Sequence, residues 1–117
     1  MGALKMNRDF VDPPALVPPD VNWRGRSGTF YPSVARRLDS FALSGGELYL
    51  LAHGSRVLWV GSVSELVADG DNRERFRQAM IDADGVYSMQ CPNDEGARLT
   101  LAWDLEGAER MGGLSLA

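Results

Sequence analysis

The chain is predicted to fold as an α+β domain. We expect a four-stranded, mostly antiparallel sheet of two hairpins, two to three helices on one face, and an extended proline-rich N-terminal arm. Three observations predict this. Two β-rich runs, Glu47 to Ala52 and Val57 to Val60, flank the short loop His53-Gly54-Ser55-Arg56, as in a hairpin. Phe76, Ala79, Met80 and Ala83 recur at helical spacing and form one apolar stripe. Leu99, Leu101, Trp103 and Leu105 alternate with Arg98, Thr100 and Asp104, the period of a half-buried strand.

Taken in order, residues 1–22 form the arm. Pro13-Pro14 and Pro18-Pro19 fix φ and push the residues before them out of the helical region, so this stretch is extended. Phe10, Val11, Leu16, Val17 and Val21 are apolar enough to need a surface to pack on. A single domain spans residues 23–110. It opens on the glycine-rich loop Trp23-Arg24-Gly25-Arg26-Ser27-Gly28. A short helix is expected from about Pro32 to Phe41, because Pro32 suits a first turn and Val34, Leu38 and Phe41 share a helical face. The hairpin follows. Its runs are apolar on both faces, so both faces should be covered. Ser62-Val63-Ser64-Glu65 has the capping-box pattern and starts a short helix that ends at Asp69-Gly70-Asp71. The striped helix then runs from about Asn72 to Ala83, with Gly85 as a left-handed cap. Strands from Val86 to Cys91 and from Arg98 to Leu105 close the domain around the turn Pro92 to Gly96. Residues 111–117 are expected to be a flexible C-terminus.

Composition limits the function classes. With 117 residues, 44% of them hydrophobic and 24% charged, the chain has the make-up of one folded domain. Net charge is −4, unevenly spread: residues 1–60 carry seven basic and five acidic side chains, and residues 61–117 carry five and eleven. Overall acidity disfavours non-specific nucleic-acid binding. Eleven of the twelve basic residues are Arg, which together with the Gly, Ala and Asp content fits a bacterial or phage origin. Cys91 is the single cysteine, so no intramolecular disulfide forms, and a reducing, cytoplasmic setting is expected. No signal-peptide layout and no membrane-length apolar run is present, so no membrane association is expected.

No catalytic set is legible. His53 is the lone histidine, and Ser55 lies in the same turn, where polar residues belong anyway. One His and one Cys cannot make a zinc site of ordinary ligand count, and no metal or other cofactor is expected. Asp69, Asp71 and Glu74 could ligate a hard cation, but acids at a helix start already complement its dipole. No phosphate-cradling glycine motif occurs. The richest cluster is Arg–aromatic. Trp23, Arg24, Arg26, Tyr31, Arg36 and Arg37 are the candidate binding residues, with Phe30 among them, because Trp, Tyr and Arg dominate protein–protein hot spots and also stack and pair with nucleic acid. Against that, Trp23 and Phe30 could simply anchor the core.

Two stretches resemble known families. Glu47-Leu48-Tyr49 followed by Trp59-Val60-Gly61 resembles the paired strand motifs of GIY-YIG nucleases. Glu47 and Leu48 stand where that family has Gly and Ile, and Trp59 stands in place of a tyrosine. The resemblance implies an Arg on the next helix and a metal-binding Glu. Ser62 to Ala68 holds no Arg, Arg73 comes later, and no Glu can be assigned. The same hairpin, Leu48 to Leu51 with Gly54 and Leu58 to Gly61, is similar to the central hairpin of gelsolin-like domains.

The expected function is therefore that of a small protein-binding or adaptor module without catalysis. It would act through the Arg–aromatic segment and the arm, with another protein as partner. The alternative is a nucleic-acid-binding protein, a degenerate relative of the GIY-YIG nucleases. Homo-oligomerisation through the two-sided hairpin is a third option.

Overall fold

The computed structural model describes residues 20–39 and 42–111. The hairpin is its centre. Strand β3 (Glu47–His53) pairs antiparallel with β4 (Arg56–Ser62), and the loop contracts to Gly54-Ser55 because His53 and Arg56 already face each other. A register shift between Leu51 and Ala52 bends the pair. On the other side β3 pairs with β5 (Gly85–Gln90), from Glu47 opposite Gln90 to Ala52 opposite Gly85.

The expected four strands become six. β1 (Asp20–Arg24) and β2 (Phe30–Arg36) form a second ribbon, β2 joins β5 through Val34 to Arg36, and the two-residue β6 (Glu109–Arg110) bridges β4 to β1. The order β1-β2-β5-β3-β4-β6 closes into a barrel, every pairing antiparallel. Of the arm expected over residues 1–22, Asp20 to Asn22 belong to β1, and residues 1–19 lie outside the described residues. At the other end Met111 N–H donates to Asn22 O at 2.8 Å, and residues 112–117 also lie outside them.

Two elements differ in kind from expectation. The helix expected from Pro32 is strand β2. Pro32 faces Asn22 of β1, while the pairing with β5 starts only at Val34, so a missing N–H is tolerated where the strand is bonded on one side. The strand expected over Arg98 to Leu105 is helix α3 (Glu95–Glu106), N-capped by Asp94, whose carboxylate accepts from Ala97 N–H at 2.8 Å. Residues two apart on a strand and four apart on a helix both share a face. The alternation of leucines and tryptophan fits either, and only burial distinguishes them.

The other helices stand where the pattern put them: α1 (Val63–Ala68) and α2 (Gly70–Asp82). Glu65 Oε1 accepts from Ser62 N–H at 2.8 Å, one half of the capping box. Asp69 caps α2 by accepting from Asp71 and Asn72 N–H. Gly85 enters β5 directly, and α2 ends instead at Ala83 in extended backbone.

The helices are not gathered on one face. α1 and α2 cover the outside of the hairpin, where Tyr49, Leu51, Trp59, Leu66, Ala79 and Val86 make one core with Phe76 and Met80. α3 belongs to the other core. Ala102 and Leu105 join Trp23, Leu48, Leu50, Val60 and Tyr87 inside the barrel. Both faces of the hairpin are thus covered, as its composition required. Glu65 on α1 and Arg98 on α3 meet at 2.5 Å and tie the two sides together.

Trp59 spans the outer core. Its ring meets Phe76 edge-on at 4.9 Å, and its indole N–H donates to Asn72 Oδ1 at 2.8 Å, both groups being buried. Asn72→Ala leaves that donor unpaired. Chemical denaturation is expected to show a loss of about 1–3 kcal/mol.

Candidate functional site

The six candidate residues do not make one site. Trp23 is fully buried, and its ring meets Tyr87 edge-on at 5.2 Å. Tyr31 turns inward as well. Arg36 and Arg37 stand at the far end of β2, about 20 Å along the strand from Phe30. There Arg36 donates to Ser88 Oγ at 2.8 Å and lies 3.5 Å from Glu47, while Arg37 pairs with Asp39 at 3.1 Å. Only Arg24 and Arg26 remain together. They border a cleft of about 500 Å³ with Gly25, Ser27, Gly28, Gly107 and Glu109.

A single carboxylate shapes that end of the molecule. Asp104 of α3 is 4% exposed and receives three bonds from the β1–β2 ribbon: Ser27 N–H at 2.7 Å and Ser27 hydroxyl at 2.6 Å from the turn, and Tyr31 hydroxyl at 2.5 Å from β2. Arg26 N–H adds a bond to its carbonyl at 3.1 Å. The bonds from Ser27 and Tyr31 hold the Asp104 carboxyl below the usual carboxylate range, and the carboxylate pushes the Tyr31 phenol up. Gly25 is the residue this permits: a Cβ there would stand 2.5 Å from the Asp104 carboxyl carbon.

The pinned turn presents Arg26. Its Nε–H donates to Trp103 O at 2.9 Å, and its guanidinium carbon lies 5.0 Å from the centre of the Trp103 ring. Trp103 is 56% exposed and Leu99, one helical turn earlier, 52%. Across the cleft Arg24 pairs with Glu109 at 3.1 Å. The surface thus joins an exposed apolar pair on α3 to two guanidinium groups.

Reading residues 98–105 as a strand placed Trp103 on a buried face, so it escaped notice as a surface residue. The signal that could have found it is that Leu99/Trp103 and Leu101/Leu105 are two i,i+4 pairs on opposite sides of a helix, and one core can bury only one of them. Phe30, weighed with Trp23 as either a contact residue or a core anchor, is exposed.

Other candidate chemistry is accounted for by structure. His53 is exposed at the hairpin turn. Its Nδ1 lies 2.9 Å from Asp82 O, a pure acceptor, so Nδ1 carries the proton. Asp69 is committed to capping, and Glu74 bonds Arg77 and Gln78. Among the described residues no three His, Cys, Asp or Glu side chains stand close enough to hold a metal ion. Burial pushes the Cys91 thiol up, away from the thiolate a nucleophile needs. Of the nuclease-like positions, Tyr49 hydroxyl receives Ser44 N–H at 2.8 Å, Trp59 is packed against α2, and the next helix offers Glu65, already paired with Arg98. No described helix is long and apolar enough to cross a membrane.

No family model matches the chain, and no curated protein or solved structure does either.

Proposed function

We propose that this chain is a protein-binding module whose contact surface is the outward side of α3 together with the turn that carries Arg26. One observation carries the reading. α3 is apolar on two sides; Leu101 and Leu105 serve the domain's own core, while Leu99 and Trp103 stay in solvent. A helix apolar on both sides is normally covered on both. A half-exposed tryptophan beside an arginine has the composition of an interface hot spot. Val67 and Ile81 are also exposed, but singly, which is ordinary. The nucleic-acid reading draws little support from charge, because Arg24, Arg36 and Arg37 each already face an acid.

The test is affinity capture from the native host with the double variant Leu99→Ser, Trp103→Ala. Both side chains lie outside the core, so stability should change by less than about 1 kcal/mol. Partners held by the wild type are expected to be lost. Retention of the same partners by the folded variant would remove this surface from the proposal.

A further inference from the structure

We infer that Arg26 is the anchor of a carboxylate-binding site, and that the segment it takes is an acidic peptide with an apolar side chain beside the acid. This rests on the protein-binding reading above and names the chemistry of the partner. Arg26 is exposed, yet three features fix it. Its Nε–H is bonded to Trp103 O, its guanidinium lies over the Trp103 ring, and its stem runs across Gly107. A Cβ at residue 107 would come within 2.5 Å of Arg26 Cγ and 2.8 Å of Cζ, so the glycine is the notch that lets the arginine lie flat. At the C-terminal end of α3 the Arg26 side chain commits only its Nε–H, to Trp103 O. The two terminal nitrogens have no acceptor among the described residues. A stacked guanidinium with its fork open is preorganised for bidentate carboxylate.

The cleft itself shows which anion it tolerates. Its second arginine, Arg24, already holds a carboxylate, that of Glu109. Glu109 lies exposed on the same cleft, and the whole chain carries −4, so repulsion grows with each added anionic charge and weighs more on a polyphosphate backbone than on a peptide with one or two carboxylates. From Arg26 the exposed surface continues over Trp103 to Leu99, about 6 Å further along α3. That track suits an apolar side chain next to the acid in the same peptide.

The probe is the capped peptide of sequence Ala-Leu-Leu-Glu-Glu-Leu and its counterpart with both Glu replaced by Gln, titrated into the full-length ¹⁵N-labelled chain. The signals followed are the Arg26 Nε–H and the Trp103 indole N–H. The acidic peptide is expected to give saturable shifts, with the Gln peptide at least about tenfold weaker. Arg26→Lys keeps the charge and loses the fork, so it should weaken binding about fivefold or more with the remaining amide spectrum unchanged. Equal response to both peptides, or none up to about 5 mM, would overturn the inference. So would oligothymidylate giving the same shifts at lower concentration, which would assign the site to nucleic acid. In the capture experiment, partners lost with the Leu99/Trp103 variant but kept by Arg26→Gln would sink this inference and leave the broader reading standing.

Discussion

Trp23→Ala is expected to destabilise the fold by about 3–5 kcal/mol, the usual cost of emptying a tryptophan-sized space in a packed core. Trp23 is fully buried, and from β1 it reaches the same cluster as Leu48, Leu50, Tyr87 and Leu105. No neighbour can collapse into so large a gap without moving a strand of the barrel. Trp23→Phe should behave differently. The indole N–H is buried with no hydrogen-bond partner among the described residues, so its removal relieves a desolvated donor while most of the ring contact survives. Urea denaturation is expected to place Phe within about 1.5 kcal/mol of the wild type. If the alanine variant were as stable as the wild type, Trp23 would not be the core residue described here.

Asp104→Asn is expected to cost about 2–3 kcal/mol, because Asn cannot accept all three bonds that Ser27 and Tyr31 donate. The variant also carries a pH signature. A carboxyl whose folded pKa is depressed contributes stability above its unfolded value, about 3.9, and loses it as pH falls through the folded value. Wild-type stability should therefore decline below about pH 4, and Asp104→Asn should remove this group's part of that decline. Tyr31 has the opposite sign. Its raised phenol contributes stability below its unfolded value, near 10, and loses it as pH rises through the folded value. Thermal melts of both proteins from pH 2 to 11 read both limbs. An acid limb unchanged in the variant would refute the assignment.

The hairpin was legible because turn chemistry and β-rich runs agree over Glu47 to Val60. Helix α2 was legible because Phe76 and Met80 sit four apart with no competing period. β2 was missed because Pro32 reads locally as a helix start, whereas its tolerance in a strand depends on where pairing with the distant β5 begins. α3 was missed because periods of two and four coincide in Leu99, Leu101, Trp103 and Leu105, and tertiary burial chose between them. The candidate site shared that fate. Arg24 and Arg26 were visible as residue types, but Trp103 and Gly107, which give Arg26 its posture, lie some 80 positions away. No local pattern joins them.

The two-residue β6 makes closure of the ring a question of timing. It joins Trp23 and Arg24 to Arg110 and Glu109, the longest reach along the chain of any strand pairing here. On the ribosome β3 and β4 can meet as soon as they emerge, while the β1–β2 ribbon must wait for β5 and then for the last strand. Through that interval the indole of Trp23 has only part of its core, because Leu48, Leu50 and Tyr87 precede Ala102, Leu105 and the closing strand. Until β6 is free to pair, β1 keeps the edge opposite β2 open, the kind of edge on which a strand of another copy can add.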